Sequence, residues 1–286
     1  MDRLHHAGAA SGNDRVPTRE AEAVPGAEPL TPTAPRPAGR TVSTQDWRDV
    51  TFLHWAVDPA RVAPLLPAGT VPDVHDGCTY VGLIPFRMHR VGLLGAPGLP
   101  YLGSFAETNV RLYSVDGDGR RGVVFRSLDA ERLLPVLAGR WAAGLPYAWS
   151  RMRIARAGAV LTYTSRRRGP GPRSRVVVRV GGALPEVDPL ARFLTARWGL
   201  HRPGRDGPVF WPNEHGEWPL HRAELLDLEE SLLTAAGLDP ATGPPDSVLF
   251  SPGVAARFGP PVPVRPAPAP SRRGRSPRGR RRRSGP

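Results

Sequence analysis

Between Val50 and Phe258 apolar and polar residues alternate at period two in run after run, with Gly, Pro and Asp between the runs. That pattern turns one face of each segment toward a core and the other away, which suits strands and not a helical bundle. The clearest strands are predicted over 81–88, 104–115, 122–129, 159–165, 175–180 and 247–257. Helices are few and short, over 59–66, 131–143, 189–199 and 225–236, three of them following an Asp that can cap them. In 189–199, Leu190, Phe193, Leu194 and Trp198 share one face, and Gly199 reads as a stop. The predicted class is mainly β with peripheral helices (α+β), a closed or sandwich-like antiparallel architecture. Gly117-Asp118-Gly119-Arg120-Arg121-Gly122 matches a dinucleotide fingerprint in letters only. A strand follows it where a helix would be needed, so it reads as a hairpin turn.

The ends of the chain differ from its middle. All 39 basic residues are Arg, giving a net charge of +13. Residues 1–40 are neutral and rich in Pro, Ala and Gly, while 261–286 carry Arg272, Arg273, Arg275, Arg278 and Arg280 through Arg283 with no acid. Both ends are expected to be disordered tails around a single domain at 41–260. The Arg272–Arg283 block could hold nucleic acid only weakly and with strong salt dependence, and no aromatic residue interleaves it to stack on bases. One cysteine, Cys78, excludes an intrachain disulfide framework and a multi-cysteine zinc site. No run of apolar residues is long enough for a membrane helix, and the expectation is a cytoplasmic protein without a membrane partner. The sequence leaves open a homo-oligomer.

The strand at 104–115 carries the chemistry. Its odd positions Phe105, Glu107, Asn109, Arg111 and Tyr113 share one face, and Ala106, Val110 and Leu112 share the other. The polar face is either the wet side of a sheet, with Glu107 and Arg111 linked through Asn109 or a cross-strand partner, or the lining of a cavity for a small ligand. Alternation alone does not separate the two. His215 and His221, with Glu214 and Glu217, hint at metal ligation. However, there is no HExxH motif and Trp218-Pro219 interrupts any aligning helix, so no metal and no cofactor are expected. No G-x-S-x-G elbow is present.

Several unusual segments occur in order along the chain: Asp46-Trp47-Arg48-Asp49-Val50-Thr51-Phe52-Leu53-His54-Trp55, Val81-Gly82-Leu83-Ile84-Pro85-Phe86, Phe105-Ala106-Glu107-Thr108-Asn109-Val110-Arg111, Ser127-Leu128-Asp129-Ala130, Leu145-Pro146-Tyr147 and Trp218-Pro219-Leu220. Across roughly 45–257 the chain resembles the YqjF-like family of uncharacterised proteins, whose fold is similar to that of acetoacetate decarboxylase. The resemblance implies an antiparallel β-barrel with a polar cavity. In acetoacetate decarboxylase a Gly-Arg-Glu stretch leads to Pro-Lys-Lys, whose lysines include the Schiff-base nucleophile. Here Gly139-Arg140-Trp141 leads to Leu145-Pro146-Tyr147-Ala148, with Tyr and Ala where the lysines would stand.

That replacement argues against the classical decarboxylation. A Schiff base needs an amine that can be neutral at the working pH; the chain has no lysine, and a guanidinium stays protonated. What the resemblance leaves is an enzyme acting without a Schiff base on a small oxo acid or carbonyl compound, or a non-catalytic binder of such an organic acid. Binding of nucleic acid or an acidic partner by the Arg tail is the remaining alternative. In the first reading Glu107 is an acid or base if burial raises its pKa, and Tyr147 donates to an oxyanion. Arg111 or Arg126 clamps a carboxylate, Asn109 contributes a hydrogen bond, and His54 is either packed or a proton carrier at the cavity mouth.

Overall fold

A computed structural model describes residues 24, 26–93, 103–133, 135–137, 140, 144–238 and 243–265. Thirteen strands run in one sheet: β1 Ser43–Val57, β2 Thr70–Pro72, β3 Thr79–Leu93, β4 Phe105–Asp116, β5 Arg121–Ala130, β6 Tyr147–Ala157, β7 Val160–Arg167, β8 Arg173–Ala183, β9 Gly199–Arg202, β10 Val209–His215, β11 His221–Glu230, β12 Ser247–Phe258 and β13 Val262–Pro263. Pairing from β5 through β6, β7, β8, β11, β12, β1, β3 and β4 back to β5 closes a nine-stranded barrel. A shorter circuit leaves β5 through β9 and β10 and rejoins at β12. The strands β12, β1, β3, β4 and β5 belong to both circuits, so both of their faces are covered.

The double covering is plainest in β1 and β3. Val50 through Trp55 of β1 and Thr79 through Phe86 of β3 are buried at every position. A strand covered on both sides reads as a continuous apolar run. One face joins Leu53, Leu83, Val110 and Leu112 to Leu161 of β7 and Val178 of β8 across the barrel in an apolar core. The other face, with Val50, Phe52, Ile84 and Phe105, looks into the space bounded by β9 and β10.

The turn between β4 and β5 is the hairpin that the glycine-rich letters disguise. Asp116 accepts from the backbone amides of Asp118 and Arg120, and Gly119 takes a left-handed φ of 78° while its amide donates to the Asp116 carbonyl. A tight reversal of this kind is where glycine is needed. The 59–66 helix is a short α1 (Pro59–Val62) capped by Asp58 and followed by a single 3-10 turn. The 189–199 helix ends earlier than expected, as α2 Pro189–Thr195, capped by Asp188. Gly199 is already in β9, packed so closely on Phe210 that a Cβ would lie 2.2 Å from the ring. The expected helix over 225–236 is mostly strand: β11 runs to Glu230, and only α3 Leu232–Ala235 is helical. Pairing with β8 overrides the helical spacing of its leucines. Of the 131–143 helix, 133, 135–137 and 140 are helical, 131 and 132 are not, and 134, 138, 139 and 141–143 lie outside the described residues.

The packed body extends beyond 41–260. Leu30 packs against the core, the Glu28 amide donates to the Gly119 carbonyl, and the buried Ala38 amide donates to the Glu214 carboxylate. At the other end β13 pairs with β10, and Arg265 accepts from the Gly117 amide. The arginines 272–283 lie outside the described residues. Among those residues, no helix is long and apolar enough to cross a membrane.

Candidate functional site

A cavity of about 570 Å³ fills the space enclosed by the shared strands, β9, β10 and the end of α2. The odd face of β4 lines it with Phe105, Glu107, Asn109 and Arg111, so the polar face is the lining of a cavity and not a wet surface. Most of the remaining wall is apolar, aliphatic side chains alternating with aromatic ones that include Trp47, Phe52, Phe86, Phe125 and Trp218.

Glu107 is 3% exposed, and no basic group pairs with it among the described residues. Burial pushes its carboxyl up to about 8, with the Asp129 charge adding to the effect and a hydrogen bond from Tyr147 opposing it. The Tyr147 hydroxyl donates to Glu107 Oε2 at 3.2 Å, and burial beside that carboxyl holds its pKa well above the ordinary phenol value. At neutral pH the pair is therefore uncharged, two protonated groups at one end of the cavity.

The other end is basic. Arg111 donates from Nε to the Tyr113 hydroxyl at 3.0 Å and from a terminal nitrogen to the Leu194 carbonyl at 3.0 Å. Both partners are neutral, and among the described residues no carboxylate forms an ion pair with it. The Glu107–Arg111 link through Asn109 or a cross-strand partner is absent: Asn109 Oδ1 is buried without a hydrogen-bond partner. Arg197, which also lines the cavity, is by contrast neutralised by the buried Asp73, shared with Arg121, and donates to the Phe193 carbonyl. Arg197 sits just beyond α2, and no spacing in the sequence marks it. His215 projects into the same region from β10 between Trp47, Trp198 and Trp218, and burial lowers its pKa to about 4.

His54 and Arg126 do not line the cavity. His54 is fully buried beneath it, its Nε2 2.5 Å from the Tyr113 hydroxyl. Burial and the nearby Arg111 and Arg197 charges push its pKa well below the ordinary value, so it is a neutral packed imidazole supporting the Tyr113–Arg111 pair, not a proton carrier at the mouth. Arg126, expected as a carboxylate clamp, faces away from the cavity. A bulge lets β5 place Phe125 and Leu128 inward around it, and its guanidinium turns to the Ala236 and Leu65 carbonyls on the far side.

A second constellation looks like a nucleophile triad. Ser114 Oγ lies 2.8 Å from His201 Nδ1, and His201 Nε2 lies 3.2 Å from Asp116 Oδ2. All three side chains are buried and none lines the cavity, so no substrate atom can reach Ser114. Burial works to raise the Asp116 pKa, but hydrogen bonds from His201 and Arg120 outweigh it and hold the carboxyl below its usual range. The group ties β9 to the β4–β5 hairpin. His221 lies on β11, its Nδ1 facing the Gly181 carbonyl, apart from His215 in the cavity. Among the described residues no cluster of three or more His, Cys, Asp or Glu side chains could hold a metal.

Residues 44–255 match the DUF2071 family, described as an uncharacterized conserved protein. The chain is 30% identical over 205 residues to the uncharacterized protein YqjF of Bacillus subtilis (strain 168), covering 71% of this chain and 84% of that one. Three solved structures share the fold. The enduracididine biosynthesis enzyme MppR, complexed with pyruvate, superposes with a TM-score of 0.53 at 15% identity, over 79% of this chain and 91% of that chain. An acetoacetate decarboxylase-like enzyme from Sphingomonas wittichii RW1 gives 0.52 at 16% identity, over 81% and 95%. Acetoacetate decarboxylase from Legionella pneumophila gives 0.51 at 14% identity, over 87% and 98%.

Proposed function

The chain belongs to the DUF2071 family, with an acetoacetate-decarboxylase-like barrel, and we propose that it binds a small organic acid or carbonyl compound inside that barrel, held by Arg111 and met by Glu107. The observation that carries this reading is the Arg111 guanidinium, which faces an apolar cavity with only neutral partners. A cation left without an anion in a low-dielectric space is costly, and a bound carboxylate would relieve that cost through paired hydrogen bonds. The pyruvate held by MppR, which shares the fold, is an acid of this kind.

The chemistry available at the other end is proton donation. With Tyr147 donating to Oε2, Oε1 is the oxygen from which a protonated Glu107 would donate to a ligand carbonyl. Asn109, between the two ends on β4, offers a further hydrogen bond. No step passes through a lysine imine, since the chain has no lysine. Glu107→Gln separates catalyst from carrier: an enzyme loses turnover, whereas a binding protein changes only its affinity.

A thermal-shift screen of the full chain against oxo acids, hydroxy acids, phenolic acids and their neutral analogues tests the reading. A ligand at a hundredfold its Kd adds about 2.7 kcal/mol, which moves the midpoint by about 5–10 °C in a domain of this size. The expected result is a shift confined to carboxylates and lost in Arg111→Ala. No shift with any acid, and an Arg111→Ala variant as stable as the parent, would overturn it.

A further inference from the structure

We infer that the natural ligand is an elongated aryl carboxylate carrying a hydrogen-bond donor, and not an acid of pyruvate's size. This rests on the binding reading above and narrows it. Three observations converge. The first is extent: a cavity of about 570 Å³ lies within the roughly 300–1,000 Å³ that encloses drug-sized ligands. A three-carbon acid would occupy one end and leave an apolar chamber to water.

The second is the separation of the two polar ends. Glu107 and Arg111 stand four residues apart on one strand face, which places their Cα atoms about 13 Å from one another. The Arg111 guanidinium is held by the Tyr113 hydroxyl and the Leu194 carbonyl, and no ion pair joins it to Glu107. A single short molecule cannot meet both ends. One with a rigid apolar middle can, its carboxylate at Arg111 and its second polar group at Glu107 and Tyr147.

The third is the wall between them. The Phe52 ring lies 5.5 Å from Arg111 Cζ and packs edge-to-face on Trp218, with centroids 5.2 Å apart. Trp218 in turn stacks on Trp47 at 5.8 Å. Flat π faces beside a cation suit an aromatic ring attached to an anion, which can pack offset or edge-on against them. In this aromatic lining Asn109 Oδ1 and Asn213 Oδ1 are buried with no donor facing them. A buried acceptor left unpaired is costly, so a hydroxyl or N–H on the ligand has a reason to be there.

Isothermal titration of the full chain at neutral pH with pyruvate, phenylpyruvate, para-hydroxyphenylpyruvate and the neutral ketone phenylacetone tests this. Phenylpyruvate should bind about tenfold or more tighter than pyruvate, and the hydroxylated acid tighter still. In Asn109→Leu, checked for an unchanged thermal midpoint, the affinity ratio of the hydroxylated acid to phenylpyruvate should fall to about one. If pyruvate binds as tightly as phenylpyruvate and Arg111→Ala abolishes both, the size and ring inference is overturned while carboxylate binding stands. If phenylacetone matches phenylpyruvate, or no acid binds, the binding reading itself fails.

Discussion

Glu107 keeps its proton because burial penalises the carboxylate and no cation faces it, and this has a consequence for stability. Below pH 4.5 the residue is protonated both folded and unfolded. As pH rises, the unfolded chain releases the proton while the folded chain holds it up to about pH 8. The stability contributed is thus lost across that window, at up to about 1.4 kcal/mol per pH unit. His54, His201 and His215, with lowered pKa values, act in the opposite sense below pH 6.5, and Glu28, raised by burial, acts in the same sense as Glu107, so the difference between parent and Glu107→Gln from pH 6.5 to 8 isolates this carboxyl. Denaturant unfolding should show Glu107→Gln gaining on the parent through that range; parallel curves would contradict the account. Asp73, fully buried between Arg121 and Arg197, makes a second residue-scale prediction. Asp73→Asn leaves two buried guanidinium groups without their anion and should cost about 3–5 kcal/mol in the same assay. At this scale Glu107, Asn109 and Arg111 were legible, because alternation on β4 puts them on one face. Arg197 and His215 were not, because they reach the cavity from the chain just beyond α2 and from β10, and only the closed barrel brings them together.

Bulges decide which elements could be read. In β5 the extra residue at Arg126 sets the inward pair Phe125 and Leu128 three apart, and a period-two reading cannot place Arg126 correctly. In β11 a register shift between Leu225 and Asp227 similarly spaces Leu225 and Leu228 as on a helix, which is how that strand was misread. The hairpin at Asp116 to Gly119 was legible because a strand follows its glycines. Where β1 crosses β12, Gly253 has φ 126°, and a Cβ there would lie 1.9 Å from the Trp47 carbonyl oxygen. Gly253→Ala should therefore cost about 2 kcal/mol or more and lower the urea midpoint with little change in slope. It should also weaken ligand binding, since Trp47 forms part of the cavity wall.

For the whole molecule, the period-two alternation foretold a β-rich body, and the family resemblance foretold its barrel. The segment before residue 41 was harder, because proline-rich chain without periodicity gives no sign of packing. Yet Arg121 donates to the Glu28 carbonyl, Arg36 pairs with Glu28, and Leu30 lies against the core. A chain beginning at residue 41 should melt several degrees below the full chain. The account depends most on the barrel holding Glu107 in an apolar interior, and a titration of its side-chain carboxyl by carbon-13 NMR, assigned with Glu107→Gln, measures this directly. A midpoint near pH 8, raised further by Tyr147→Phe because that change removes the hydrogen bond opposing the effect of burial, is the predicted result. A midpoint near 4.5 in the intact protein would mean that Glu107 is solvated and charged, and that the cavity chemistry argued from it does not exist.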